Sequence, residues 1–180
     1  MTRLTLTTER LTNPIGLFGA EPIVKDILDV LTGGLTDALA TLATVNGVTV
    51  ALPAPDAATG FHGYLTDPRL LPSWPAILVR RGPRSVIGEK DVNGGYELNN
   101  VVVVDIVVLG ADNAILTTQM DRYVRAVCEL LTVREALPSG QCDLVRVGYE
   151  EPQLTDRESG DYLQDVPCFF NVTTYEIAPQ

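Results

Sequence analysis

Apolar residues recur at two different spacings along the chain, and the wider spacing predicts helices. Over residues 21–46 they return every three or four positions, as expected of an amphipathic helix with Pro22 in its first turn. Gly33-Gly34 predicts a kink or a break into two shorter helices, because glycine weakens a helix by about 1 kcal/mol relative to alanine. Asn46-Gly47 predicts the end of this helix.

A second helix is predicted between Asp112, a favourable N-cap, and the helix-stopping residues Pro138 and Gly140. The three- and four-residue spacing gives it one apolar face and one polar face. The apolar positions are Met120, Tyr123, Val124, Val127, Leu130 and Leu131, and the polar positions are Asp121, Arg122, Arg125, Glu129 and Arg134.

Strand patterns occupy much of the remaining chain, in "PAILVRRG", "RSVIGEKD", "YELNNVVVVDIVVLG", "CDLVRVGYEE" and "DYLQDVPCFFNVTTYEI". Gly82-Pro83 and Asn93-Gly94-Gly95 predict the turns between the first three. The order of helix, strands, helix and strands lacks the strict alternation of a parallel fold. It therefore predicts an α+β fold, with a mostly antiparallel sheet, two helices packed on one face, long loops and hairpin extensions.

The length of 180 residues is typical of one domain, so we expect a single core. Three segments lie outside the helix and strand patterns: an N-terminal arm at 1–20, a Pro/Gly-rich loop at 52–75 and an acidic loop at 150–161. We expect the acidic loop to project from the sheet edge. Leu70, Leu71 and Trp74 are expected to fold back onto the core.

The most apolar stretch, "NNVVVVDIVVLGADN" at 99–113, carries a single aspartate in its middle. The two-residue period of a strand places Val102, Val104, Ile106 and Val108 on one face, which we expect beneath the helices. The other face carries Val101, Val103, Asp105, Val107 and Leu109. Because a small antiparallel sheet normally leaves its second face polar, these valines predict that something covers them.

Two covers are possible for this second face. Either the loop 52–75 folds across it, or a second copy of the chain packs there. The interface residues in the second case are Val101, Val103, Asp105 and Val107. A buried carboxylate is costly without a partner, so in both cases we expect an arginine or a backbone amide opposite Asp105.

The motif "RRGPR" supplies the remaining candidate interface residues, Arg80, Arg81 and Arg84, at the predicted Gly82-Pro83 turn. Guanidinium groups bind carboxylates and phosphates alike. In a chain with a net charge of −10, pairing with an acidic residue of another subunit is at least as well supported as contact with DNA. Ordinary solvent exposure is the alternative.

Charge and composition exclude several classes of function. A net charge of −10 disfavours tight binding to nucleic acid phosphates. No window reaches about 18 consecutive apolar residues and the first residues lack a signal-peptide pattern, so we expect a cytoplasmic product without membrane contact.

The sequence offers little catalytic chemistry. It lacks the phosphate-loop, dinucleotide-binding and zinc-protease motifs, and its one histidine, His62, leaves Ser85 and Ser139 without an evident base. We therefore expect no enzymatic activity, no catalytic residues, no cofactor and no metal ion. The cysteines form no C-x-x-C pair and are expected to be reduced, packed thiols: Cys128, Cys142 and Cys168.

The succession of elements resembles the tail terminator, or tail-completion, proteins of tailed bacteriophages. The resemblance covers the chain from Glu21 onward: a helix, a Pro/Gly-rich loop, strands ending in "VVVVDIVVLG", the helix "DRYVRAVCELL", the strand "CDLVRVGYEE" and the last strand "DVPCFFNVTTYEI". It rests on element order, on lengths and on the pairing of "YVRAV" with an aromatic-rich last strand. The first segment and the loop 52–75 depart from the shortest members.

The resemblance implies a structural virion protein of the tail or neck, made in the host cytoplasm, that forms a ring, expected to be hexameric. Such a ring caps the tail tube protein, ends its polymerisation and joins the tail to the head-tail connector or stopper. DNA passes through the lumen without specific binding, in keeping with the net charge of −10.

Two alternatives stay open. The chain could be a head-to-tail connector, a stopper or another neck protein, which differs from a tail terminator in its position in the particle. It could also be a small-molecule enzyme or binding domain that uses the loop 52–75 around His62.

Overall fold

The computed structural model describes residues 20–49, 51–64, 67–90, 95–133, 137, 141–149, 153–154 and 160–177. Their elements, in chain order, are α1 (Ala20–Val45), β1 (Phe61–His62), a 3-10 turn (Pro68–Leu70), β2 (Ala76–Lys90), β3 (Gly95–Gly110), α2 (Asn113–Thr132), β4 (Gln141–Val147), β5 (Gln153–Leu154) and β6 (Tyr162–Ile177). The predicted N-terminal arm lies outside the described residues up to residue 19, and the single-domain extent of 1–180 stays a prediction.

The described strands form one sheet in the order β1-β2-β3-β6-β4, and β5 also pairs with β6. β1 is parallel to β2, whereas the other pairs are antiparallel. β3 and β6 pair along their whole length, from Gly95 opposite Ile177 to Gly110 opposite Tyr162. Both helices pack against the same face of the sheet, so the predicted α+β class is confirmed.

β2 runs straight through Gly82-Pro83, where the sequence predicts a turn between two strands. The turn prediction is wrong because the extra residues are absorbed as an irregularity in the β2–β3 register between Arg81 and Ser85. A Cβ on Gly82 would lie 2.6 Å from Val101 Cγ1 and 2.9 Å from the Val101 carbonyl oxygen, so only glycine fits there. The second predicted turn includes Asn93 and Gly94, which lie outside the described residues.

α1 is one uninterrupted helix of 26 residues, so the predicted break at Gly33-Gly34 is wrong. Burial of a continuous apolar stripe outweighs the intrinsic cost of two glycines. That stripe comprises Ile23, Ile27, Leu31, Leu35, Leu39 and Leu42. The predicted end is confirmed: Gly47 has φ +64°, its N–H donates to the Thr44 carbonyl, and the Val48 N–H donates to the Ala43 carbonyl.

Segment Ile23–Val45 of α1 is long and apolar enough to cross a membrane by length and composition alone, with a mean hydropathy of 1.2. Its leucines and isoleucines instead form part of the buried core, together with side chains of α2 and the sheet. Core helices of soluble proteins reach the same apolar content.

α2 begins where the sequence predicts. The Asp112 carboxylate accepts hydrogen bonds from the N–H groups of Ala114 and Ile115 at 2.9 and 3.1 Å. The helix ends at Thr132 with an extended Val133, earlier than predicted, while Pro138 and Gly140 lie outside the described residues. Its predicted apolar face is buried or half-buried against the core.

The described part of the loop 52–75, residues 52–64 and 67–75, is largely irregular, as predicted, apart from β1 and the 3-10 turn. Leu71 packs into the interior, but Leu70 is 76% exposed and Trp74 is 36% exposed, so the expectation for these two residues is wrong. The loop is attached to α2 by the Tyr123 hydroxyl, which donates to the Pro53 carbonyl at 2.6 Å.

Part of the predicted acidic loop returns to the sheet instead of projecting from it. Gln153 and Leu154 form β5 and pair with Leu163 and Tyr162 at the start of β6. Residues 150–152 and 155–159 of that loop lie outside the described residues.

Candidate assembly surface

The second face of the sheet, the one opposite the helices, is defined by Leu78, Arg80, Val103, Asp105, Val107, Pro167 and Phe169. The strand registers place these residues together: Leu78 and Pro167 flank Asp105 on either side, and Arg80 and Phe169 flank Val103. Val103, Asp105 and Val107 are buried and Val101 is half-buried. The prediction that the apolar part of β3 is covered on both faces is therefore confirmed over residues 102–108.

Asp105 is paired with Arg80 of the neighbouring strand β2. Arg80 Nε lies 2.6 Å from Asp105 Oδ2 and Arg80 Nη2 lies 3.3 Å from Oδ1, so the guanidinium contacts both carboxylate oxygens. The Asp105 side chain is 3% exposed and the Arg80 side chain 29%. The expected arginine partner is present, but it belongs to the same chain, so Asp105 needs no second subunit for its charge to be satisfied.

One end of the second face has an apolar cover from the chain itself. Leu71 of the loop packs with Ala76, Leu78, Val107 and Leu163, and Leu109 lies against them. The loop therefore covers the face around Val107, as the first of the two predicted covers requires. The loop contacts this end of the face through Leu71. A role in a subunit interface stays a prediction for Val101, Val103, Asp105 and Val107.

The opposite end of the same face is polar. Asn99 Oδ1 accepts hydrogen bonds from Asn171 Nδ2 at 3.1 Å and from Thr173 Oγ1 at 2.8 Å. Closer to the centre, the Arg146 guanidinium of β4 lies 4.1 Å from the centroid of the Phe169 ring. The face thus passes from an apolar end, through the buried ion pair, to a hydrogen-bonded amide cluster.

The three arginines of "RRGPR" lie along strand β2 and not at a hairpin turn, which corrects the prediction for their position. Arg80 forms an ion pair with Asp105 of the same chain. The Arg81 side chain is exposed and also has an interaction partner within the chain. Arg84 lies within β2 by its backbone. The Asn99 cluster and the Arg146–Phe169 contact are absent from the sequence-based predictions, because both depend on the β6 register, which no residue pattern reveals.

The cysteines are free and packed, as predicted: Cys142 and Cys168 are buried and Cys128 is half-buried. Burial raises the pKa of the Cys142 thiol to about 12. A hydrogen bond between the other two thiols raises the pKa of Cys168 and lowers that of Cys128. Because the thiolate is the reactive form, the raised pKa values make Cys142 and Cys168 poor nucleophiles.

His62 lies in the short strand β1, with Nε2 at 3.0 Å from the Thr59 carbonyl oxygen and its ring edge-on to Tyr64. Two open grooves of about 600 and 430 Å³ lie beside α2, the first against residues 51–53 and the second against the end of α1. Both are lined by Thr118 and Arg122, and neither includes His62. Among the described residues, no group of three or more His, Cys, Asp or Glu side chains is placed to hold a metal ion.

No family model and no curated protein matches this chain. Among solved structures, a chain described as "Virion of native gene transfer agent (GTA) particle" is similar over 81% of this chain and 94% of its own length. The identity is 15% and the TM-score 0.36. Likeness at this level does not establish a common fold or function.

Proposed function

We propose that the chain is a structural virion protein whose copies form a ring, expected to be hexameric, at the end of a phage-type tail tube. The ring would end tube polymerisation and join the tail to the head connector. The starting point is the resemblance in element order to tail terminators, and the helices and strands on which it rests occur in that order among the described residues.

The observation that carries the proposal is the construction of β3. This strand is buried on both faces over residues 102–108 and is paired over sixteen residues with β6. A long pair of strands that is packed on both faces of the sheet is rigid, because close-packed side chains resist deformation. Such rigidity suits a protein that transmits force between other subunits.

Electron microscopy of the purified protein, alone and mixed with tail tubes assembled from the tube protein of the same genome, tests this proposal. We expect closed rings, or monomers that become rings on tube ends, and tubes that stop growing when the protein is added. A stable monomer that leaves tube length unchanged would contradict it. Rings that contact the portal-side adaptor and not the tube would assign the connector or stopper role instead.

The enzyme or binding alternative depends on His62, and His62→Ala tests it separately. We expect this variant to form the same assemblies as the wild-type chain, because His62 lies outside the second face and both grooves. Loss of function with intact rings would favour the alternative.

A further inference from the structure

Two cysteines meet where α2 packs against the sheet. Cys168 is buried in β6, opposite Val104 of β3 and Val147 of β4, on the face of the sheet that the helices cover. Cys128 of α2 follows the buried Val127 and is half-buried against the same core. The two thiols are hydrogen-bonded to each other. Thiols in direct contact, on two elements that pack together, have the starting geometry for a disulfide.

The third cysteine, Cys142 of β4, is less well placed to bond with Cys168. Cys142 is opposite Val172, whereas Cys168 is opposite Val147. Val172 lies four residues beyond Cys168 on β6, which at about 3.3 Å per residue separates the two positions by about 13 Å. A disulfide requires Cα atoms within about 7 Å of each other. The contact between Cys128 and Cys168 is therefore the better candidate.

Cys128 is the member of the pair that is better suited to react first. It is half-buried, whereas Cys168 is 0% exposed. The Cys168 thiol donates its hydrogen bond to the Cys128 sulfur and lowers the pKa of Cys128, although burial and the charge of Glu129 act in the opposite direction. The same contact and burial raise the pKa of Cys168. Because the thiolate is the nucleophile, Cys128 attacks an oxidant and Cys168 follows.

We propose that Cys128 and Cys168 are a redox-active thiol pair, which a peroxide converts into a disulfide between α2 and β6. The Cys128 thiolate attacks one oxygen of hydrogen peroxide, and the O–O bond breaks. A sulfenic acid forms on Cys128, and the departing hydroxide and the proton released by Cys128 give water. The Cys168 sulfur then attacks the Cys128 sulfur; the S–S bond forms, the S–O bond breaks, and the second hydroxide leaves with the Cys168 proton as water. Two thiols are oxidised by two electrons, and one peroxide is reduced to two waters.

The disulfide joins α2 to the sheet and closes the segment 128–168, which contains β4 and β5. A cross-link restricts the unfolded chain, so the oxidised protein resists unfolding better than the reduced one. Thiol pairs stay reduced in the cytoplasm and become oxidised outside it. In the proposed virion role, the protein thus gains this cross-link after release from the host. The thiol pair itself does not depend on ring formation.

Peroxide treatment of the purified, reduced full-length chain tests the pair. Intact mass spectrometry should show the loss of two hydrogen atoms, and non-reducing peptide mapping should identify a link between Cys128 and Cys168. The urea concentration at the unfolding midpoint should rise on oxidation and return to its starting value after treatment with dithiothreitol. Before oxidation, iodoacetamide should label Cys128 at least about tenfold faster than Cys142 or Cys168.

Three alanine variants separate the roles of the thiols. C142A is the matched control, because it removes a buried thiol outside the pair, and it should form the link as the wild-type chain does. C128A should form no disulfide within the chain. C168A should stop at a sulfenic acid on Cys128, which dimedone traps. If C168A does not fold, the peptide map of the wild-type chain decides.

Several results would overturn the thiol pair: a link between Cys128 and Cys142, disulfides between chains only, oxidation of Cys128 while Cys168 stays reduced, or a link that forms only in urea-unfolded chains. Equal labelling of the three thiols by iodoacetamide would reject Cys128 as the first to react. None of these results bears on the proposed ring, which electron microscopy tests separately. A chain that forms no ring but gains the link would reject the proposed function and keep the thiol pair.

Discussion

The Arg80 guanidinium donates hydrogen bonds to both carboxylate oxygens of Asp105 on the neighbouring strand. The Nε–Oδ2 distance is 2.6 Å and the Nη2–Oδ1 distance is 3.3 Å. Because Asp105 is opposite Leu78, Arg80 reaches it diagonally, two residues further along the same face. This pair explains how an aspartate is accommodated within the most apolar strand of the chain.

Removing Arg80 should destabilise the protein more than removing Asp105. In R80L a carboxylate that is 3% exposed loses its partner, which costs up to about 3–5 kcal/mol for a buried pair. In D105L the arginine, already 29% exposed, can turn toward water, so we expect a smaller loss. Urea unfolding followed by circular dichroism measures both free energies of unfolding.

The double variant R80L/D105L is the control for that comparison. Two apolar side chains can replace an ion pair at little net cost, so the double variant should be more stable than R80L. Single losses that simply add in the double variant would contradict a direct coupling of the two residues. For the same reason, reversing the charge of Arg80 or Asp105 would destabilise the fold and is a poor assembly test.

The neighbouring glycines of α1 should respond differently to alanine. A Cβ on Gly33 meets nothing within 4 Å, so G33A should gain about 0.5–1 kcal/mol from helix propensity alone. A Cβ on Gly34 would lie 2.9 Å from Leu130 Cδ2, so the α2 side chain must shift and part of that gain is lost. Thermal and urea unfolding of both variants measure the difference; equal gains would show that Leu130 does not limit this position.

Much of the architecture could be predicted from local patterns. The stripe of α1, the Asp112 cap and the two faces of β3 follow from spacing, since burial and capping act over a few residues. The errors come from tertiary context. Gly33-Gly34 and Gly82-Pro83 resemble breaks. Core packing nevertheless keeps α1 a single helix, and a shift in the register against β3 lets β2 continue as a single strand past Gly82-Pro83.

The candidate surface was less predictable than the fold. An arginine opposite Asp105 could be expected from the cost of a buried charge, but the identity of that arginine depends on the β2–β3 register. The register in turn depends on where the bulge falls, and no residue pattern specifies this.

The part of the loop around Pro53 should separate from α2 more readily when the Tyr123 hydroxyl is removed. Tyr123 is almost fully buried and donates to the Pro53 carbonyl at 2.6 Å, so Y123F leaves that carbonyl without this donor and should cost about 1–1.5 kcal/mol. Hydrogen exchange should show faster exchange near Pro53 and unchanged exchange in β3 and β6. The Thr117→Val variant, which removes an exposed hydroxyl bonded within α2, is the control. Equal protection of the loop in Y123F and wild type would contradict the attachment.

Alkaline pH should weaken the fold through the Cys142 thiol. Burial first, then the charges of Asp143 and Cys128, raise its pKa to about 12, whereas an unfolded cysteine has a pKa of about 8.5. The folded chain therefore keeps a proton that the unfolded chain releases, so this stabilisation is complete below about pH 8.5 and is lost as the pH rises toward 12. The free energy of unfolding, measured with urea between pH 8 and 10.5, should fall by up to about 1.4 kcal/mol per pH unit because of this group. The C142A variant should be less stable at pH 7, but its free energy of unfolding should fall less steeply with pH. Parallel pH profiles for wild type and C142A would exclude Cys142 as the source.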